Sequence, residues 1–149
     1  MVSQLLSLEK ILDIRDYEKQ AAQVKHHQSV EAFEKVALKL YQLLKKKESA
    51  EEQLQTTLQS SMTVTELQEQ SRYIEQLTNE IVAFQETVDE ARQLMNIYKE
   101  DLTDKHIEFK KIEKIIQHRY AELKADEQKA ENNLMDEISI QQYMSQKNR

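Results

Sequence analysis

From Ile74 to Leu123 the apolar residues recur at alternating intervals of three and four. The stops are Ile74, Leu77, Ile81, Phe84, Val88, Ala91, Met95, Tyr98, Leu102, Lys105, Phe109, Ile112, Ile116, Arg119 and Leu123, and only Lys105 and Arg119 are not apolar. This is a period of 3.5 held over about seven heptads, the repeat that keeps one face of an under-wound α-helix turned toward a partner helix. At 1.5 Å per residue the seam is roughly 75 Å long. A single helix cannot bury such a stripe, so another part of the chain or a second chain must cover it.

A first helix is predicted over about 3–58. It opens on a broad apolar face of Leu5, Leu8, Ile11, Leu12 and Ile14, continued by Tyr17, Ala21 and Val24. The pattern weakens through His26-His27-Gln28-Ser29, which predicts a shift of seam register or a loosely packed segment. It resumes at Phe33, Val36, Leu40, Leu43, Lys47, Ala50 and Leu54.

Between the helices stands QSSMTVTE, residues 59–66, with four Ser/Thr residues that favour local side-chain-to-backbone bonds over helix. The turn is predicted at about 59–63. Thr63 and Glu66 have the spacing of a capping box, and Met62 and Leu67 that of a hydrophobic staple. A second helix then runs from Val64 to about residue 140, with the closing SQKNR expected to fray. A connection this short makes the helices antiparallel neighbours. The predicted fold is all-α: two long helices in one antiparallel coiled-coil hairpin. Because the second helix is longer, either its C-terminal end overhangs or residues 64–80 form a separate short helix. We expect the overhang, with Leu134, Ile138, Tyr143 and Met144 as scattered apolar residues on it.

Composition narrows the function. The 149 residues include no Gly, Pro, Cys or Trp, which leaves little material for strands, tight turns or catalytic loops. Without cysteine there are no disulfides, thiolate nucleophiles or zinc-thiolate sites. The net charge of −6 argues against nucleic acid, which needs a basic face. No apolar run approaches a spanning helix, so direct membrane insertion is not expected. The opening MVSQLLSLEKILDIR has no basic n-region, and the sequence reads as cytoplasmic.

Candidate chemistry is sparse. His26 and His27 are adjacent and point to different helix faces. His118 and Glu122 stand one turn apart and read as a solvated polar pair rather than a metal site. Glu31–Lys35 and Asp101–Lys105 have the spacing of ordinary ion pairs. No carboxylate has a shielded site to shift its pKa. An enzyme is not expected, and no cofactor or metal is implied. Lys45-Lys46-Lys47 reads as solvated surface, with Lys47 extending its stem from the seam. Leu38, Tyr41 and Tyr73 flank seam positions. With Leu77 they either widen the seam or form an exposed aromatic patch of the kind that binds partners.

Three segments carry a family resemblance. LEKILDIRDYEKQAA places Ile11, Leu12, Ile14, Arg15, Asp16, Glu18 and Ala21 in the opening pattern of the flagellar export protein FliJ. SRYIEQL (Ser71 to Leu77) resembles that family's aromatic–Ile–x–x–Leu segment, and Met135-Asp136-Glu137-Ile138-Ser139 its acidic tail. The resemblance implies a two-helix stalk similar to the γ subunit of rotary ATP synthases. Its implied partners are the hexameric export ATPase FliI, the export-gate protein FlhA and export chaperones, at the inner face of the cell membrane. The implied ATPase-facing end comprises Leu8, Leu12, Arg15, Leu134, Asp136 and Glu137, and the implied gate-facing patch Leu38, Tyr41, Tyr73 and Leu77. Two alternatives are the equivalent stalk of a virulence type III secretion system and a purely structural homodimeric coiled coil.

Overall fold

The computed structural model describes residues 2–147. It consists of two α-helices, α1 (Val2–Leu58, 57 residues) and α2 (Val64–Lys147, 84 residues). Helix α2 is continuous, so residues 64–80 are not a separate helix. It also passes the expected end near residue 140. Ser145, Gln146 and Lys147 are helical, and the remaining part of the tail expected to fray, Asn148 and Arg149, lies outside the described residues.

Local chemistry makes the turn. The amide and hydroxyl of Ser60 both donate to the carbonyl of Thr57, at 3.1 and 3.0 Å, and close the last turn of α1. At the start of α2 the amide of Glu66 donates to Thr63 Oγ1 at 3.2 Å, while the amide of Thr63 donates to Glu66 Oε2 at 3.5 Å. This is the reciprocal capping box, and it satisfies amides that the first helical turn leaves without partners. Met62 and Leu67, the staple pair, are both half-buried. The chain reverses without a positive φ angle among its described residues.

Contacts gather into two compact units, one of residues 20–104 and one of 1–19 with 105–149. In the first, the helix segments on either side of the turn run antiparallel. The Arg92 guanidinium sits 5.6 Å from the Phe33 ring, and Lys39 Nζ 5.0 Å from the Phe84 ring, so partners step in opposite directions along the chain. Leu77, Ile81 and Val88 are its buried apolar core, joined by Ala22 and Ser29 of α1. In the second unit, Tyr120 Oη donates to Glu9 Oε1 at 2.8 Å and Lys19 Nζ lies 3.9 Å from the Phe109 ring, again antiparallel. Leu5 and Ile116 are its buried apolar residues.

The predicted seam of α2 is the observed one. Each of its stops is buried or half-buried except Arg119, which is exposed. Helix α1 departs from expectation. Ile11, Ile14, Tyr17, Ala21 and Val24 are exposed, Tyr17 at 75%. The positions turned inward are Leu5, Leu8, Leu12, Arg15, Lys19, Ala22, His26, Ser29 and Phe33, stepping by threes and fours without a break. The expected register shift near His26 is therefore absent. The seam keeps its phase and admits polar and small residues instead. Ser29 is 6% exposed and its hydroxyl donates to the carbonyl of His26 at 2.6 Å, so it is satisfied within its own helix.

Two of the expected ion pairs are also replaced. Glu31 pairs with His27 at 3.0 Å rather than with Lys35, and Lys105 is a half-buried seam residue without Asp101 as partner. Lys47 does extend from the seam, to Glu51 at 3.7 Å.

The capping box yields a prediction. Thr63→Ala removes one partner of the box and is expected to lower stability by about 1 kcal/mol, measured by denaturant unfolding. Helical content at low denaturant, read by circular dichroism, is expected to stay unchanged.

Candidate partner-binding surfaces

A two-helix pairing has a seam for a core. No side chain among the described residues is wholly buried, and no trio of His, Asp and Glu converges on a metal position. His118 and Glu122 meet at 3.1 Å as a pair on one helix face. What the fold can offer a partner is surface. The sequence singles out two regions, and each lies within one compact unit.

Within the unit formed by 1–19 and 105–149, Leu8, Leu12 and Arg15 are half-buried stops of the seam. Arg15 Nη1 donates to Glu18 Oε2 at 3.1 Å, and its Nε is buried with no hydrogen-bond partner. Leu8 lines a narrow groove with Gln4, Leu5, Arg119, Glu122 and Leu123. Leu134, Asp136 and Glu137 do not join this group. Leu134 stands about 16 Å beyond Leu123 along the helix axis, at 1.5 Å per residue. Every described residue after Leu123 is exposed, among them Leu134, Met135, Ile138, Ile140, Tyr143 and Met144. The six end residues thus form two groups, one in the paired segment and one on a stretch of α2 with no helix against it.

Within the unit of residues 20–104, Leu38, Tyr41 and Tyr73 are about half exposed, whereas Leu77 is 4% exposed. Leu77 therefore belongs to the seam beneath this region and presents no face to a partner. The structure adds residues that the apolar pattern does not flag. Tyr73 lines a shallow groove with Lys45, Lys46, Ser49, Ala50 and Gln53, and Lys45 Nζ lies 5.3 Å from the Tyr41 ring. The one sequence signal for this was the spacing of Tyr41 and Lys45, one helical turn apart. Tyr41 with Lys45 beside it, and Tyr73 in a groove with Lys45 and Lys46, present apolar and cationic surface side by side.

Electrostatics single out Tyr120. Its hydrogen bond to the Glu9 carboxylate, and then the negative charge of that carboxylate, hold the phenol above the usual tyrosine value near 10. A raised value means that the bond contributes below ordinary tyrosine ionisation and is lost as pH climbs through the raised value. In a phenolate absorbance titration, the difference between the wild-type chain and Tyr120→Phe is expected to be one tyrosine ionising above the ordinary tyrosine value. A difference curve centred at the ordinary value would contradict the bond.

The family model described as "Flagellar FliJ protein" matches residues 4–148. A curated relative, the flagellar FliJ protein of Bacillus subtilis (strain 168), is 37% identical over 138 residues, covering 93% of this chain and 94% of the relative. No solved structure matched.

Proposed function

The chain belongs to the flagellar FliJ family and is thus a component of flagellar protein export, and on that premise we propose that it acts as a non-enzymatic stalk between the export ATPase and the export gate. In this reading one end engages the hexameric ATPase FliI and promotes its assembly, and the patch around Tyr41 and Tyr73 meets the gate protein FlhA. The same surfaces escort export chaperones. The protein works in the cytoplasm, held at the inner face of the membrane by those partners. No described helix is long and apolar enough to cross a membrane, which agrees with this arrangement.

One observation carries the reading: the family match runs through residues 4–148 and takes in both the paired end and the exposed stretch of α2 beyond Leu123. That stretch has apolar side chains and no helix against it, which supports a docking role. The flagellar family match favours this system over a virulence type III stalk. The homodimer reading is disfavoured because, within each unit, the seam of one helix is already filled by the other helix of the same chain.

The direct experiment measures the turnover rate and oligomeric state of the cognate flagellar export ATPase with and without this protein. A faster rate with more hexamer is the expected result; no binding and no change would defeat the stalk reading. Removing residues 130–149 is expected to weaken ATPase binding while the rest of the chain stays helical, and unchanged binding would remove that segment from the contact. For the gate, Tyr41→Ala with Tyr73→Ala is expected to lower FlhA affinity about tenfold or more, checked by calorimetry, with little change in thermal unfolding because both rings are about half exposed.

A further inference from the structure

Two stretches of opposite charge lie side by side in the unit of residues 20–104. Over residues 35–47, α1 carries Lys35, Lys39, Lys45, Lys46 and Lys47 and no acidic residue. Over residues 73–91, α2 carries Glu75, Glu80, Glu86, Asp89 and Glu90 and neither Lys nor Arg. Lys39 Nζ lies 5.0 Å from the Phe84 ring, and Lys45 and Lys46 share a groove with Tyr73, so the lysine stretch runs along the acidic one. Charges that are mixed elsewhere in the chain are here sorted by helix.

The sorting is not taken up in contacts. Lys47 pairs with Glu51 at 3.7 Å and Asp89 with Arg92 at 3.8 Å, each within its own helix. Among the described residues no ion pair joins one stretch to the other. Lys35, Lys39, Lys45 and Lys46 are exposed, and so are Glu75, Glu80, Glu86 and Glu90. They face each other as two blocks rather than as bonded pairs. Packed helices lie about 8–10 Å apart, close to the screening length of about 8 Å at physiological ionic strength. Each block therefore feels the other across the seam. Apolar stops bury surface whichever way a partner helix runs, whereas charges beside the seam distinguish partner and direction. A lysine block against a carboxylate block favours α1 antiparallel to α2. A parallel, in-register pairing of two chains would set lysines against lysines and carboxylates against carboxylates.

We propose that the lysine block of residues 35–47 and the acidic block of residues 73–91 form a charge code that selects the antiparallel α1–α2 pairing of this unit. The code acts through the combined field of exposed groups, so it is strong in dilute salt and weak in concentrated salt. It is a property of the chain alone and does not rest on the export role.

Three variants of the full chain test it. The first carries Lys35→Glu, Lys39→Glu, Lys45→Glu and Lys46→Glu. The second carries Glu75→Lys, Glu80→Lys, Glu86→Lys and Glu90→Lys. The third carries all eight changes and so exchanges the blocks. Lys47 and Asp89, which are paired within their helices, stay in place. Thermal unfolding is followed by circular dichroism at about 10 mM and about 1 M salt. Each single-block reversal is expected to lower Tm by about 5 °C or more in dilute salt, and by about half that or less in concentrated salt. The exchanged chain is expected to regain most of the loss. Lost cover over Phe84 or altered helix propensity would add between the two blocks instead of cancelling. An exchanged chain as unstable as the two reversals combined therefore overturns the inference, and so do losses that are equal at both salt concentrations. If a single-block reversal fails to fold, recovery of the fold in the exchanged chain supports the code, and its failure to recover defeats it.

Discussion

Everything in this protein depends on one geometric constraint, the alternation of threes and fours that keeps a single face of each helix turned toward the other. Neither helix has another way to cover its apolar stripe. Because the cover is one helix wide, even the best-buried seam residues keep a little exposure, Leu77 at 4% and Ile81 at 5%. No single contact dominates, and stability is gathered along the length of the pairing. An individual stop can therefore be polar without loss of the fold, as Arg15, Lys19, His26, Ser29 and Lys47 all are.

The same constraint decides what kind of work the chain can do. No side chain among the described residues is wholly buried, and the seam is flanked by residues that stay on the outside. The long cations do part of the covering. Lys19 lies over Phe109, Lys39 over Phe84 and Arg92 over Phe33, so the apolar rings at the margin are roofed by alkyl stems and charges. Where that roofing is missing, at Tyr73 and on α2 beyond Leu123, apolar surface stays open. Such openings are where the docking proposed above would take place.

Much of the fold was legible in the sequence because period, turn chemistry and helix length all gave the same answer. Thr63 and Glu66 placed the start of α2 at Val64, and the stops from Ile74 to Leu123 were the observed ones apart from Arg119. The reading of α1 failed between Leu12 and Phe33 because it followed hydrophobicity. Tyr17 and Val24 are apolar but lie outside, while Lys19, His26 and Ser29 are polar but lie inside. Phase set by the segments on either side outweighs the character of an individual residue. The surfaces were less legible. The position of Leu77 beneath its patch followed from the seam, but the approach of Lys45 to Tyr41 and the engagement of Glu122 and Glu9 depend on rotamers, which spacing does not encode.

The capped turn also gives the seam an order of assembly. Contacts beside the turn join residues close in sequence, whereas the Tyr120–Glu9 bond spans 111 positions. The entropy lost on closing a loop grows with its length, so the shortest closure is the least costly nucleus. With the Ser60 and Thr63 bonds already directing the reversal, pairing is cheapest to begin at Leu54 and Leu67 and then to extend stop by stop, each new layer closing only a short additional loop. Substitutions at the bend are thus expected to act mainly on the rate of folding, and those in the layers that close last mainly on the rate of unfolding.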